Sequence, residues 1–95
     1  MRVPELSSFF VSIRSDNRIS TSHISLYMAL FECWNQNDFQ NPVTIKRKQV
    51  MEAAKISGLA TYHRCIKELH EYGYIVYLPS YNSAIGSQVI ILVNG

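Results

Sequence analysis

The chain has few cysteines, few glycines and little charge, and these shortages exclude several classes of protein. Its 95 residues include two cysteines, four glycines and 17% charged residues. Two cysteines far apart in sequence, without a CxxC pair, do not form a disulfide framework or a zinc motif. The low charge beside 47% hydrophobic residues argues against a disordered or fibrous chain. We therefore expect a cytoplasmic globular protein in which Cys33 and Cys65 are reduced packing residues.

Long apolar runs are also missing, and we expect neither a secretory signal nor a membrane partner. A chain of 95 residues is too short for two independent cores. We predict one domain over residues 1–95, with an N-terminal helical extension at 1–19 and a core at 20–93. Such a small core leaves roughly 3–5 kcal/mol of stability, so a homodimer that covers apolar surface remains open.

Hydrophobic spacing predicts a first helix and a longer central helix. The first helix has apolar residues at helical spacing, namely Leu6, Phe9, Phe10 and Ile13. These four residues are a candidate dimer surface, and their packing onto the central helix is the alternative. The run Ser20-Thr21-Ser22 offers N-cap hydroxyls to the second helix, which reaches about Trp34. That helix is apolar on so many sides that we expect it to contact several elements or a second subunit.

The rest of the chain predicts a short strand, two helices and a hairpin. Val43–Ile45 is β-prone, and helices are predicted from about Arg47 to Lys55 and from Gly58 to Tyr72. Between them, Ser57 is a candidate cap and Gly58 a candidate sharp turn, while Gly73 ends the last helix. β-Branched and aromatic runs at 74–78 and 88–93 flank a loop rich in turn formers. The predicted class is mainly α with a small β-hairpin, an α+β fold.

Charge is unevenly distributed along the chain. Residues 46–67 contain six basic side chains and one acid, a net charge of +5. The other residues contain three basic side chains and six acids, a net charge of −3. A segregated basic segment is typical of a surface that binds phosphates.

The order of elements resembles the winged helix-turn-helix family over roughly residues 20–93. The most specific stretch is ISGLATYHRCIKELHEYGYI at residues 56–75. It is similar to the family's recognition helix, in which a Ser-rich turn precedes Thr and a basic-apolar-Lys-Glu-Leu stretch, followed by Gly, an apolar residue and Ile. The whole chain also looks like small winged-helix proteins of bacterial conjugative and other mobile elements, some of them related to replication initiators.

The resemblance implies double-stranded DNA as the partner, with helix 58–72 in the major groove, helix 47–55 supporting it and the hairpin on the backbone or minor groove. The helical period turns Ala60, Thr61, His63, Arg64 and Lys67 outward. Arg64 suits a guanine edge, Thr61 and His63 a base or a phosphate, and Lys67 a phosphate. The alternative is that all of these are solvated helix residues. The predicted DNA-binding residues are Lys46, Arg47, Lys48, Ser57, Ala60, Thr61, His63, Arg64, Lys67, Tyr81 and Asn82.

Lys46, Arg47 and Lys48, here called the basic cluster, stand where a helix begins. Cations at that end oppose the helix dipole by roughly 0.3–1 kcal/mol each, and Lys46 occupies the place of a Ser, Thr or Asp cap. A bound phosphate would offset this cost, so the cluster is a candidate clamp for the DNA backbone. The alternative is a solvated basic turn.

The loop of the hairpin carries no charge from Pro79 to Ser87. Many winged-helix proteins have Arg or Lys at this tip, so contact here would use hydrogen bonds or packing from Ser80, Tyr81, Asn82 and Ser83. The alternative is that these are ordinary loop residues. The absence of charge keeps open a second hypothesis, a winged-helix module that binds proteins and not DNA.

Catalytic motifs are not recognisable in this sequence. The three histidines, His23, His63 and His70, are too dispersed to predict a metal site. We find no nucleophile triad, glycine-rich phosphate loop or carboxylate cluster by order and spacing. The prediction is a non-enzymatic protein without cofactor, metal or small-molecule ligand, acting as a transcriptional regulator or replication-associated protein.

Overall fold

The computed structural model describes residues 6–82 and 84–92, which form an α+β fold with four helices and a three-stranded antiparallel sheet. The helices are α1 (Ser7–Ile13), α2 (Thr21–Gln36), α3 (Arg47–Ala54) and α4 (Leu59–Glu71). The strands are β1 (Val43–Ile45), β2 (Ile75–Leu78) and β3 (Ser87–Ile91). The predicted α+β class and order of elements are confirmed. The predicted strand end at Val93, and residues 1–5 of the predicted extension, lie outside the described residues.

Helix α2 is the centre of the core. Leu26 and Leu30 are fully buried, and the helix contacts α3, α4, β1 and β3. Its predicted position against several elements is confirmed, although Met28 remains 39% exposed. At 16 residues α2 is the longest described helix, and neither it nor the others combine the length and apolarity of a membrane span.

The sheet places β3 between β1 and β2. Val43 of β1 lies opposite Val89 of β3, and Ile75 of β2 lies opposite Ile91 of β3. All four side chains are buried, so one face of the sheet closes the core. The Asn41 side chain extends the pairing, because its amide donates to the carbonyl of Ile91 and accepts from the N–H of Ile91.

The turn between α3 and α4 contains a lysine with a left-handed backbone conformation. Lys55 ends α3 with φ of 59°, and the N–H of Ile56 donates to the carbonyl of Met51 at 3.0 Å. Gly58 is the N-cap of α4, with φ of −86° and ψ of 122°, which any residue can adopt. The prediction that Ser57 caps α4 and Gly58 makes the sharp turn is therefore wrong. The residue that makes the sharp turn is Lys55, whose left-handed backbone closes the last turn of α3.

Helix α1 packs on α2 through one aromatic pair. The ring of Phe9 stacks on the ring of Tyr27, with 3.8 Å between centroids and an interplanar angle of 5°. Phe9 is only 4% exposed, whereas Phe10 and Val11 are 40% and 60% exposed. Packing of α1 onto the central helix is thus confirmed for Phe9, and the homodimer stays a prediction.

The segment after α1 is fastened to the end of α4 and the start of β2. Arg18 Nε donates to Asp16 Oδ1 at 2.8 Å, and the Tyr74 hydroxyl donates to Asp16 Oδ2 at 2.7 Å. The guanidinium of Arg18 also lies 4.0 Å from the centre of the Tyr72 ring. The hydrogen bonds from Arg18 and Tyr74 hold the pKa of Asp16 well below its ordinary value. These contacts attach the N-terminal extension to the fold.

Both cysteines pack against or within the core as free thiols. Cys65 is fully buried and Cys33 is partly buried. Burial raises the pKa of each thiol, which favours the protonated, unreactive form. The predicted packing role is confirmed.

Candidate nucleic-acid interface

The basic cluster lies at the start of α3, as the sequence predicts. Lys46 is the N-cap, with an extended backbone and no side-chain cap hydrogen bond, and the first turn contains no acid. Lys46, Arg47 and Lys48 are all exposed. Free N–H groups of a first helical turn and three neighbouring cations together create a positive potential at this end of α3.

The Lys46 side chain joins this cluster to the hairpin loop, residues 79–86 between β2 and β3. Its Nζ donates to the carbonyl of Ala84 at 3.1 Å. The loop also approaches β1 closely at Gly86, where a Cβ atom would lie 2.7 Å from the carbonyl oxygen of Ile45. The start of α3 and the hairpin loop are therefore held beside each other.

A groove of about 420 Å³ opens between the basic cluster, α4 and the hairpin. We call it the basic groove. Its lining residues are Ile45, Lys46, Arg47, Lys48, Tyr62, His63, Tyr77, Ser80, Tyr81 and Ser87. Five of the eleven predicted DNA-binding residues line it: Lys46, Arg47, Lys48, His63 and Tyr81. Segments distant in sequence thus present cations, an imidazole and hydroxyl groups to one groove.

A second, more open groove of about 870 Å³ runs along another side of α3. It is lined by Arg47, Lys48, Met51, Glu52, Lys55, Ile56, Ser57 and Leu59. Ser57, a predicted DNA-binding residue, belongs to this groove and not to the basic groove. Arg47 and Lys48 line both grooves, so their positive charges contribute to the potential in each.

The outer face of α4 holds the remaining predicted residues of that helix. Ala60, Arg64 and Lys67 are exposed, and Thr61 is partly buried. None of the four lines the basic groove. The opposite face is buried as predicted, through Tyr62, Cys65, Ile66 and Leu69. The predicted outward orientation is therefore confirmed for Ala60, Arg64 and Lys67, whereas Thr61 and His63 are partly buried.

Arg64 is engaged by its own helix. Its Nη1 donates to Oε1 of Glu68 at 3.0 Å, one helical turn away. The Arg64 side chain is 56% exposed, so solvent weakens its ion pair with Glu68. The guanidinium can therefore leave Glu68 for another acceptor.

Glu68 also connects α4 to the interior. Its Oε1 lies 3.0 Å from Nε2 of the buried His23 in α2, and its Oε2 accepts from the Tyr72 hydroxyl at 3.2 Å. The hydrogen bond from His23, followed by that from Tyr72, lowers the pKa of Glu68. One carboxylate thus orders a buried histidine and an exposed arginine of the outer face.

His23, Cys65 and Glu68 bring three potential metal-ligand atoms within 4.8 Å of one another. The histidine, however, already uses both ring nitrogens. The N–H of Ser20 donates to Nδ1 at 2.9 Å, as part of a capping box, which places the ring proton on Nε2. Nε2 is then the donor to Glu68 and has no lone pair for a metal. The arrangement fits a hydrogen-bond network better than a metal site.

The other two histidines have separate roles. His63 lines the basic groove, and Nδ1 of His70 accepts from the N–H of Tyr77 in β2 at 3.0 Å. His70 therefore helps to fix the hairpin against α4.

The hairpin loop exposes two large side chains. Tyr81 is fully exposed and Ile85 is 62% exposed. The predicted contact residue Asn82 is exposed, but it does not line the basic groove, and its Oδ1 accepts from the N–H of Ala84 at 3.0 Å. Asn82 therefore shapes the loop.

Several residues of the interface were missed by sequence reasoning. Tyr77 and Ser87 reach the basic groove only because of the hairpin's register, which no local pattern specifies. The role of His23 had a signal, since it stands three residues after Ser20, the place of the Glu or Gln in a capping box.

Comparison with known proteins gives no relative from which roles could be transferred. No protein-family model matches the chain, and neither a curated protein nor a solved structure matches it. The function of the interface has to be inferred from its own residues and geometry.

Proposed function

We propose that this chain is a winged helix-turn-helix domain that binds duplex DNA without catalysing a reaction. In this proposal α4 enters the major groove, α3 supports it, and the hairpin of β2 and β3 is the wing. The observation that carries the proposal is the basic groove, in which the start of α3, one side of α4 and the hairpin loop share one opening.

The basic cluster suits a DNA phosphate. Helix N-terminal N–H groups and adjacent cations favour an anion, and the first turn of α3 has no acid to compete. Lys46 is held by the carbonyl of Ala84, so it contributes fixed positive charge, whereas Arg47 and Lys48 extend into solvent. We assign phosphate contact mainly to Arg47 and Lys48.

The outer face of α4 suits the major groove. Arg64 has the fork of donors that matches a guanine edge, and its exposed pair with Glu68 is weak enough to exchange for such a contact. Lys67 lies three residues further along, where a compact cation meets the backbone. Ala60 and Thr61 offer small side chains that let the helix approach closely.

The resemblance to proteins of mobile elements suggests the setting. We propose a cytoplasmic transcriptional regulator or replication-associated protein of a bacterial mobile element. A homodimer would present two α4 helices to a palindromic site.

The test is a fluorescence-anisotropy titration of a random-sequence duplex at several salt concentrations. We expect affinity to fall as salt rises, because binding releases counterions from phosphates. Arg47→Gln should lower the slope of log affinity against log salt by about 1. Arg14→Gln removes the same charge from the end of α1, outside the interface, and should leave the slope unchanged.

A stronger variant changes Lys46, Arg47, Lys48, Arg64 and Lys67 to glutamine together and should abolish binding. Circular dichroism of each variant checks that it is folded. If the folded native protein binds no duplex at low salt, the DNA-binding proposal is wrong.

A second candidate function is a protein-interaction module, favoured by the exposed apolar side chains of Phe10 and Val11 on α1. It predicts a partner complex that survives neutralisation of the basic cluster but not the double substitution Phe10→Ser and Val11→Ser.

A further inference from the structure

The tip of the hairpin carries two exposed large side chains, Tyr81 and Ile85. Tyr81 has the accessibility of a free side chain, and Ile85 is 62% exposed. The eight residues of the loop carry no charge, so it cannot bind phosphates through ion pairs. Two large exposed apolar side chains in one short loop are a candidate contact surface.

Hydrogen bonds order the backbone on either side of Tyr81 and at Ile85. On one side of Tyr81, the N–H of Ser80 donates to Oγ of Ser87 at 3.1 Å. On its other side, the N–H of Asn82 donates to Oγ of Ser80 at 3.2 Å. The N–H of Ile85 donates to the carbonyl of Asn82 at 3.1 Å. Both side chains are therefore carried by a hydrogen-bonded backbone, which reduces the ordering that binding requires of the loop.

The cations next to the tip indicate which kind of ligand it contacts. Tyr81 lines the basic groove together with Lys46, Arg47 and Lys48. Lys46 also holds the loop directly, through the carbonyl of Ala84 one residue before Ile85. A ligand that meets the tip thus also meets three cations, which favours a polyanion that carries flat apolar surfaces.

We propose that Tyr81 and Ile85 form a wedge that enters a base step from the minor groove while the basic cluster holds the neighbouring phosphates. This inference rests on the proposed DNA-binding function and adds a mode of recognition to it. Apolar side chains inserted between base pairs unstack them and kink the duplex. Pyrimidine–purine steps unstack most readily, so the wedge selects flexible steps without reading a hydrogen-bond pattern.

The experiment uses two short duplexes with 2-aminopurine at the centre, one in a TpA step and one within a stiff A-tract. Each duplex also carries a donor and an acceptor dye at its ends. With the full chain at saturation, we expect 2-aminopurine fluorescence to rise and the dyes to approach each other on the TpA duplex. The A-tract duplex should show neither change.

Tyr81→Ser should weaken binding to the TpA duplex by about tenfold, the loss typical of one stacked base, and should abolish the fluorescence change. Its affinity for the A-tract duplex should change by less than about twofold, because the phosphate contacts remain. Ile85→Ser should reduce the kink. Met28→Gln, a substitution of an exposed apolar residue on α2 outside the basic groove, is the control and should change nothing.

The outcomes separate the wedge from DNA binding itself. Anisotropy that shows salt-dependent binding without a 2-aminopurine or dye signal overturns the wedge and leaves the proposed function standing. Failure of the native protein to bind either duplex overturns both. A Tyr81→Ser protein that keeps the full signal also overturns the wedge.

Discussion

Nε2 of His23 lies 3.0 Å from Oε1 of Glu68, and this contact links the first turn of α2 to the outer part of α4. His23 is 2% exposed, so its proton has no access to bulk water as an alternative acceptor. The same carboxylate oxygen accepts from Arg64 on the surface. The orientation of a proposed DNA-contacting arginine thus depends on a histidine inside the core.

Removing the Glu68 carboxylate should destabilise the fold through His23. In Glu68→Ala the buried N–H of His23 has no acceptor, whereas in Glu68→Gln the amide oxygen can replace the carboxylate. We expect the urea midpoint to fall in both variants and to fall further in the alanine variant. Fluorescence of the single tryptophan, the buried Trp34, reports the transition. Equal midpoints for the native and alanine proteins would contradict this role of Glu68.

Acid should destabilise the protein through Asp16 and Glu68. Both have a folded-state pKa below the ordinary value, Asp16 because of Arg18 and Tyr74, and Glu68 because of His23 and Tyr72. Their stabilisation is complete above the carboxyl pKa of the unfolded chain and is lost progressively as the pH falls towards the lowered folded-state pKa, between about pH 5 and pH 1. Urea midpoints measured across this range should decline. Asp16→Asn should make the decline shallower, and an unchanged decline would exclude Asp16 as a contributor.

The stacked pair of Phe9 and Tyr27 should contribute measurably to stability. Phe9→Leu keeps a large apolar side chain but removes the stack, and we expect a loss of about 1–2 kcal/mol in the free energy of unfolding. Phe10→Leu changes the 40% exposed neighbour and should cost less than about 0.5 kcal/mol. Urea denaturation gives both values. Similar losses would mean that α1 is not held through Phe9.

Two glycines with positive φ should differ in their tolerance of alanine. Gly73 has φ of +88° with no atom within 4 Å of an added Cβ, so Gly73→Ala should cost only the conformational term, about 1–2 kcal/mol. Gly86 has φ of +80°, and its Cβ would lie 2.7 Å from the carbonyl oxygen of Ile45. Gly86→Ala should add roughly another 1–3 kcal/mol for this overlap. Thermal and urea unfolding compare the two, and equal losses would rule out the close approach.

Much of the fold is readable from local patterns. The burial of Tyr62, Cys65, Ile66 and Leu69 follows from their helical spacing in α4, and the position of Lys46 at a helix start follows from the residues around it. The pair of Arg64 and Glu68 is also local, because residues four apart share a helical face, although the sequence analysis did not single it out.

The site itself depends on contacts between distant residues. His23 and Glu68 are 45 positions apart, and no pattern in either helix specifies that they meet. The basic groove likewise requires the register of β2 against β3 and the approach of Gly86 to Ile45. Local spacing predicts which side chains point outward, but tertiary packing decides which of them share a groove.

The strand order has a consequence for how the molecule assembles. β1 and β2 do not pair with each other in the described sheet, and each pairs only with β3. The hairpin closes over eight residues, whereas about forty residues separate β1 from β3. Because the entropic cost of closing a loop rises with its length, we expect β2 and β3 to pair first. β1 then pairs with the β3 strand already in place. Lys46 and Arg47, which follow β1, would then reach their positions in the basic groove late in folding.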